Sequence, residues 1–343
     1  METTIPTPPG TTGATPTMAA IVQDRYGDDP RTVLRHDRIG RPGIRDDEVL
    51  VRVRAAGVDR GTWHLMAGRP YLMRAIGFGF RGPKTPVPGL DLAGTVEAVG
   101  ANVTAFAVGD EVFGTAASGS FAQYAVAKAD KLAAKPGTLT FEQAAAVPVS
   151  ATTALQAVRD KGGVQAGDRV LVIGASGGVG SYAVQIAKAF GAHVTGVART
   201  SKLDLVRALG ADAVLDYTRD EVTDGRRRYD VVVDIGGNRP VRELRRALTP
   251  RGRLVITGGE GGGSVLGGIG RNLRAALLSM FVGQKLTAFV ARQRGDDLVA
   301  LRELVETGAL VPALDGTYPL AAAADAVCHL VEGRARGKVV VTV

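Results

Sequence analysis

The stretch Val170–Lys188, V-L-V-I-G-A-S-G-G-V-G-S-Y-A-V-Q-I-A-K, leaves this chain few folds to choose from. Val170–Ile173 has the length and apolar content of a buried strand. Gly174, Gly177, Gly178 and Gly180 then make a turn almost without side chains. After it Val179, Ala183, Ile186 and Phe190 recur at i, i+4, i+7 and i+11, the stripe of an amphipathic helix. A helix entered through glycines presents unpaired backbone N–H groups, with nothing bulky between them and an anion. A strand, a glycine turn and a helix in this order form the phosphate half of a dinucleotide site.

The glycine pattern is imperfect, because Ala175 stands at the first glycine of A-S-G-G-V-G. Its surroundings add weight. His193–Ala198 reads as a second strand at about one βαβ spacing. Ala213–Asp216, Val231–Ile235 and Leu254–Thr257 read as further short apolar strands separated by helical stretches. The alternation predicts an α/β fold, a doubly wound parallel sheet. The candidate cofactor contacts are Ala175, Ser176, Gly177, Gly178, Val179 and Gly180. Gly236 and Gly258, at the carboxyl ends of later strands, join them.

A length of 343 residues predicts two domains. No apolar run is long enough to span a membrane, and no membrane partner is expected. Residues 1–17, rich in Thr and Pro, read as a disordered tail rather than a signal peptide. The single cysteine, Cys328, excludes an intrachain disulfide and multi-cysteine zinc sites, and fits a reducing cytoplasm. The net charge is +8, but the cations are scattered. The densest run, Arg226–Arg228, falls in a loop and belongs to no nucleic-acid module, so no nucleic acid is expected.

Between Met18 and Val126 the pattern is β-like. Met18–Gln23, Glu48–Ala56, Ala93–Val99, Asp110–Gly114 and Phe121–Ala127 predict a small barrel-like unit. Residues 62–88 hold Trp63, His64, Tyr71, Phe78 and Phe80 among glycines and prolines. They read as a long connection, either a substrate loop or an apolar cluster under a loop. Thr140–Val158 reads as a helix capped by Thr140 and interrupted at Pro148. Gly258–Gly270, eight glycines in thirteen residues, is either a closing loop or a mobile linker. Asp297–Thr307 and Ala321–Val331 predict helices, and Lys338–Val343 predicts a strand that returns to the first domain.

The order of these parts resembles the medium-chain dehydrogenase/reductase superfamily, in its zinc-independent quinone-oxidoreductase-like branch. The resemblance spans about residues 18–343. It rests on G-L-D-L-A-G-T-V at Gly89–Val96, V-G-D-E-V at Val108–Val112, G-A-S-G-G-V-G at Gly174–Gly180, A-L-G-A-D at Ala208–Asp212 and the ending G-K-V-V-V-T-V. It implies a GroES-like substrate domain over 18–140, a Rossmann domain over 141–292 and a carboxyl segment, 293–343, that rejoins the first domain. It also implies a homodimer paired along the edge strand Lys285–Val290. The zinc enzymes carry a metal-binding cysteine at the place of Asp59 and a metal-binding histidine at the place of Leu90. Leucine cannot coordinate a metal, so no catalytic zinc is expected.

NAD sites place an acid at the tip of the second strand, whereas NADP sites place cations there. Here the tip reads Ala198–Arg199–Thr200–Ser201–Lys202, and the nearby Asp204 has capping-box spacing from Ser201. Arg199 and Lys202 suit a 2′-phosphate. In similar NADPH-dependent quinone reductases a lysine and a tyrosine hold that group, where Lys202 and Tyr217 stand here. NADPH is the expected cofactor. Without a metal ion, the acceptors that need least electrophilic help are quinones and α,β-unsaturated carbonyls, and the resemblance points to the same apolar substrates. Candidate donors are Tyr71 and, more weakly, Trp63 and His64. Asp59, where relatives of this branch carry asparagine, is either a proton donor or an ordinary turn residue. Two alternatives stay open: a metal-independent NADP-dependent alcohol dehydrogenase or carbonyl reductase, and a non-catalytic NADPH-binding protein.

Overall fold

The computed structural model describes residues 16–237, 239–258 and 263–343. The expected tail over 1–17, all but its last two residues, lies outside the described residues. So do positions 259–262 of the glycine-rich loop.

The glycine turn belongs to a sheet of six parallel strands. In spatial order they are Ala213–Asp216, His193–Ala198, Arg169–Ile173, Tyr229–Asp234, Leu248–Ile256 and Lys285–Ala288. The chain starts in the middle, steps outward twice, then crosses to the far side of its first strand. The order therefore reverses between Arg169–Ile173 and Tyr229–Asp234, and a crevice opens there at the carboxyl ends. Val170 and Val172 pack with Ala183 and Ile186 in one core. Leu171 and Ile173 pack with Leu244 and Leu254 in another. Burial on both faces explains why this strand reads as an unbroken apolar run.

The second unit is a seven-stranded sheet. Its path runs Leu314–Pro319, Lys338–Thr342, Glu48–Val58, Asp91–Val99, Glu111–Thr115 and Leu132–Ala134, with Tyr124–Lys128 also paired to Glu48–Val58. Lys338–Thr342 runs antiparallel to Glu48–Val58, so the carboxyl segment does return to the first unit. Leu314–Pro319, an edge strand without apolar alternation, escapes sequence reading, as does Arg35–Gly40, which pairs with Thr17–Val22. Ala144–Val147, Tyr182, Ala93, Phe113 and Val340 share one core, so packing is continuous from one sheet to the other. Among the described residues, no helix is long and apolar enough to cross a membrane.

Three local expectations need correction or refinement. Residues 62–88 are not simply a connection. Arg60–Ala67 is a helix closed by Gly68 at φ 61°, and Arg74–Phe78 is a short wide helical turn ending in Gly79 N donating to Arg74 O at 3.2 Å. Buried Met66 anchors the first of these, and the following glycines and prolines mask the pattern. Thr140–Val158 divides as Pro148 requires, into Phe141–Ala145 with a Thr140–Gln143 capping box and Pro148–Leu155. The Ser201–Asp204 capping box does not form. A tight turn over Thr200–Lys202 moves the start of the helix to Leu203, and Asp204 instead pairs with Arg336 at 2.7 Å.

Candidate active site

Close backbone approach builds the crevice. A side chain on Gly180 would land on Gly174 O, and one on Gly258 would land on Ile235 O. Gly174 holds φ 86°, and its added Cβ would lie 3.2 Å from Gly236 N. Glycine is thus required where three neighbouring strand ends meet. The helix Gly178–Ala189 starts at Gly177 with no side-chain cap, so its first N–H groups are left for a ligand. Gly177 is the open position: its nearest neighbour on that side is Gly174 O at 3.5 Å. An uncapped helix end over a side-chain-free turn fits a diphosphate. Ala175 needs correction as a direct contact. Its methyl lies in the core and its N–H donates to Val197 O at 3.0 Å, because packing against the second strand outweighs exposure to the crevice. Val179 also turns its side chain to that core, and Ser176 O accepts from Gly337 N at 3.0 Å.

Beside the helix start lies a charged cluster that sequence reading missed. Lys338 is 1% exposed and Asp91 0%. Lys338 Nζ lies 3.0 Å from Asp91 Oδ2 and donates to Ser150 Oγ at 3.2 Å. Val149 N donates to Asp91 Oδ1 at 2.8 Å. A Cβ on Gly178 would lie 3.1 Å from both Lys338 Cδ and Ser150 Oγ, so this cluster adjoins the phosphate turn. Burial pushes the Asp91 carboxyl up to about 6 against the pull of Lys338, and the charge of Asp59 adds to the push.

Asp59 is itself buried. Its Oδ1 accepts from Thr62 N at 2.8 Å and caps Arg60–Ala67, while its Oδ2 has no partner. Leu90 sits next to it, since a Cβ on Gly61 would lie 2.9 Å from Asp59 Oδ1 and 3.3 Å from Leu90 Cδ1. This spot offers one carboxylate and one hydrocarbon, and Asp91 is occupied by Lys338. Among the described residues, no group of three or more His, Cys, Asp or Glu side chains could hold a metal ion.

The tip of the second strand is basic, as expected, and more fully engaged. Arg199 Nε donates to Tyr217 Oη at 3.3 Å. Lys202 Nζ donates to Gly333 O at 2.8 Å and Ala335 O at 2.6 Å, so the carboxyl segment supports it from behind. Burial and then Arg199 lower its pKa. Asp216, at the end of the third strand, accepts from the Thr200 hydroxyl and from Thr218 Oγ1 at 2.7 Å. These hydroxyl bonds hold its pKa down and tie the acid into the turn, away from the ribose role. Arg336, from the carboxyl segment, is a further cation that nothing in the sequence marks as neighbouring this tip.

Tyr71 has two guanidinium groups over its ring, with Arg69 Cζ 5.5 Å and Arg74 Cζ 4.6 Å from the ring centroid. Its hydroxyl lies 3.5 Å from Arg69 Nη2 and is partly exposed. Trp63 is less available than expected: its Nε1 points at Asp28 O, 3.5 Å away, and its ring packs on the substrate-side core. His64 Nδ1 lies 3.1 Å from Arg69 O, which takes up that ring nitrogen. His329 pairs with Asp315 at 2.5 Å and is structural. Arg226 pairs with Asp224 in a loop.

Two domain families match this chain: the alcohol dehydrogenase GroES-like domain over residues 45–137 and the zinc-binding dehydrogenase family over 209–341. The chain is 34% identical over 320 residues to the chloroplastic NADPH-dependent alkenal/one oxidoreductase of Arabidopsis thaliana, covering 88% of this chain and 73% of that one. It is 32% identical over 334 residues to the quinone oxidoreductase of Sus scrofa, covering 94% and 97%. The solved quinone oxidoreductase from Coxiella burnetii superposes with a TM-score of 0.83 at 26% identity, covering 96% and 100%. With this architecture and these relatives, the chain belongs to the medium-chain dehydrogenase/reductase superfamily, in its quinone-oxidoreductase-like branch, and is an oxidoreductase that uses a nicotinamide dinucleotide.

Proposed function

We propose that the protein reduces a quinone or an α,β-unsaturated carbonyl with NADPH and without zinc. The observation that carries the zinc-free reading is the pairing of Asp59 with Leu90, beside an Asp91 already bound to Lys338. Where a metal-dependent relative needs several ligands, this chain offers one carboxylate. The names of the alkenal/one and quinone oxidoreductase relatives support the substrate class. The cations Arg199 and Lys202 with Tyr217, and an Asp216 tied up by Thr200 and Thr218, support the phosphorylated cofactor.

NADPH, when bound, supplies a hydride. The chain's own part is to hold it and to manage charge. The uncapped first turn at Gly177–Gly180 receives the diphosphate, Arg199 and Lys202 meet the 2′-phosphate, and Gly174, Gly236 and Gly258 keep the floor free of side chains. Hydride delivery to a conjugated acceptor leaves negative charge spread onto oxygen. A hydroxyl or carboxylic acid within reach stabilises that charge and returns a proton. Tyr71 Oη, with a guanidinium beside it, and the unpartnered Asp59 Oδ2 are the candidates. An NADPH-oxidation screen over quinones, enals, enones and simple aldehydes tests this reading. Turnover of the first three classes alone supports it. Turnover of simple aldehydes alone, with NADP+ reduced by the corresponding alcohols in the reverse assay, replaces it with a metal-independent alcohol dehydrogenase.

A further inference from the structure

The strand Glu48–Val58 reads E-V-L-V-R-V-R-A-A-G-V, and its alternation sorts side chains by face. Val51, Val53 and Ala55 are buried, whereas Arg52 and Arg54 are exposed on the opposite face. Two residues apart, their Cα atoms stand about 6.6 Å from one another, so both guanidinium groups can reach one anion. Tyr124 is the register partner of Arg52 on the neighbouring strand, which sets its ring beside them. Together with Thr17, Gln123 and Val343, these side chains enclose a cavity of about 440 Å³. That volume lies within the range of small-molecule sites.

The polar groups around this cavity are left as donors. Among the described residues neither arginine forms an ion pair or donates a hydrogen bond, and Arg54 Cζ lies over the Phe141 ring at 5.3 Å. Gln123 Oε1 accepts from Ala19 N at 2.8 Å, which leaves the amide N–H groups for a ligand. Thr17 Oγ1 accepts from Arg38 Nη2 at 2.7 Å and keeps its own hydroxyl hydrogen. Glu97, an acid on the next strand, is taken by Arg41 at 2.9 Å, and that arginine covers the Tyr124 ring at 3.9 Å. Two uncompensated guanidinium groups with an amide and a hydroxyl beside them match an oxyanion rather than a cation or an apolar group. The cavity is no arm of the crevice. Lys338 adjoins the phosphate turn, and Val343 lies beyond the far end of the same strand, roughly 17 Å away.

We propose that this cavity is a second binding site, on the substrate-side unit, for a small phosphate monoester. Arg52 and Arg54 hold the phosphate oxygens, the arginine fork suiting that group. The cavity has room beyond the phosphate, where Gln123, Thr17 and the Tyr124 hydroxyl suit a short hydroxylated chain. The site is independent of the reaction proposed above. The sequence hides it because its walls come from four strands or strand ends, at positions 17, 52–54, 123–124 and 343.

Isothermal titration of the full chain with glycerol 3-phosphate tests it. Saturable binding at one site, weakened by high salt, is the expected result. Arg52→Gln with Arg54→Gln should lower the affinity about a hundredfold, two charge-assisted contacts being lost, while the ligand-free melting temperature stays unchanged. Arg199→Ala with Lys202→Ala removes the other cation pair and should bind the ester as the wild type does. Inorganic phosphate, lacking the hydroxylated chain, should bind more weakly. Absence of saturable binding overturns the proposal. So does binding that survives in the Arg52/Arg54 variant and is lost in the Arg199/Lys202 variant, which would put the phosphate in the cofactor crevice. Inorganic phosphate binding as tightly as the ester also overturns it, leaving an adventitious ion site only.

Discussion

Replacing Lys338 by methionine leaves Asp91 buried without its cation, and the outcome should depend on pH. Burial holds the folded-state Asp91 pKa at about 6, and a free aspartate titrates near 3.9. An acid that keeps its proton more tightly when folded makes stability fall as pH rises. The fall begins near the unfolded value and ends near the folded one. For the wild type, roughly two pKa units correspond to about 3 kcal/mol lost between about pH 4 and 6. In Lys338→Met the attraction and the hydrogen bond from Nζ both vanish, leaving only Val149 N against desolvation and the charge of Asp59. The carboxyl pKa then moves above 6, and stability keeps falling through pH 7 and 8. The loss relative to wild type should be small at pH 5 and grow to about 3–5 kcal/mol at pH 8, the cost of an unpaired buried charge. Urea unfolding at several pH values measures it, and Asp91→Asn with Lys338→Met should flatten the profile. An equal loss at pH 5 and pH 8 would refute the reasoning.

Arg199→Ala with Lys202→Ala should raise the NADPH dissociation constant about ten- to a hundredfold and leave that of NADH nearly unchanged, read by nicotinamide fluorescence; equal losses for both remove the 2′-phosphate assignment. Gly180→Ala places a methyl on Gly174 O, so it should cost about 1–3 kcal/mol of stability and weaken both cofactors, measured by thermal unfolding and titration. Tyr71→Phe keeps the ring beside Arg69 and Arg74 but loses the hydroxyl. It should lower kcat about tenfold or more with KM for NADPH unchanged, and an unchanged kcat leaves Asp59 Oδ2 as the remaining donor.

Local signals were legible in the sequence and long-range ones were not. The strand Arg169–Ile173 and its helix declare themselves because period and glycine spacing are properties of adjacent residues. The split at Pro148 and the cap at Thr140 are equally local. The role of Ala175 depends on how near Val197 comes, which no spacing records. The Lys338–Asp91 pair joins residues 247 positions apart, and a lysine opening an apolar strand gives no hint of burial. Asp204 shows the same limit from the other side: its spacing favours a cap, and Arg336, 132 positions away, takes it. The contact of Tyr71 with Arg69 and Arg74 lies within a few residues, yet it depends on a turn among glycines and prolines that propensity does not specify.

The central claim is metal-free hydride transfer from NADPH to a conjugated acceptor. The direct measurement is NADPH oxidation with a quinone by protein freed of metal by chelation, with zinc content determined on the same sample. Full activity with only trace zinc is the predicted result. Activity that disappears on chelation and returns with stoichiometric zinc would contradict the account.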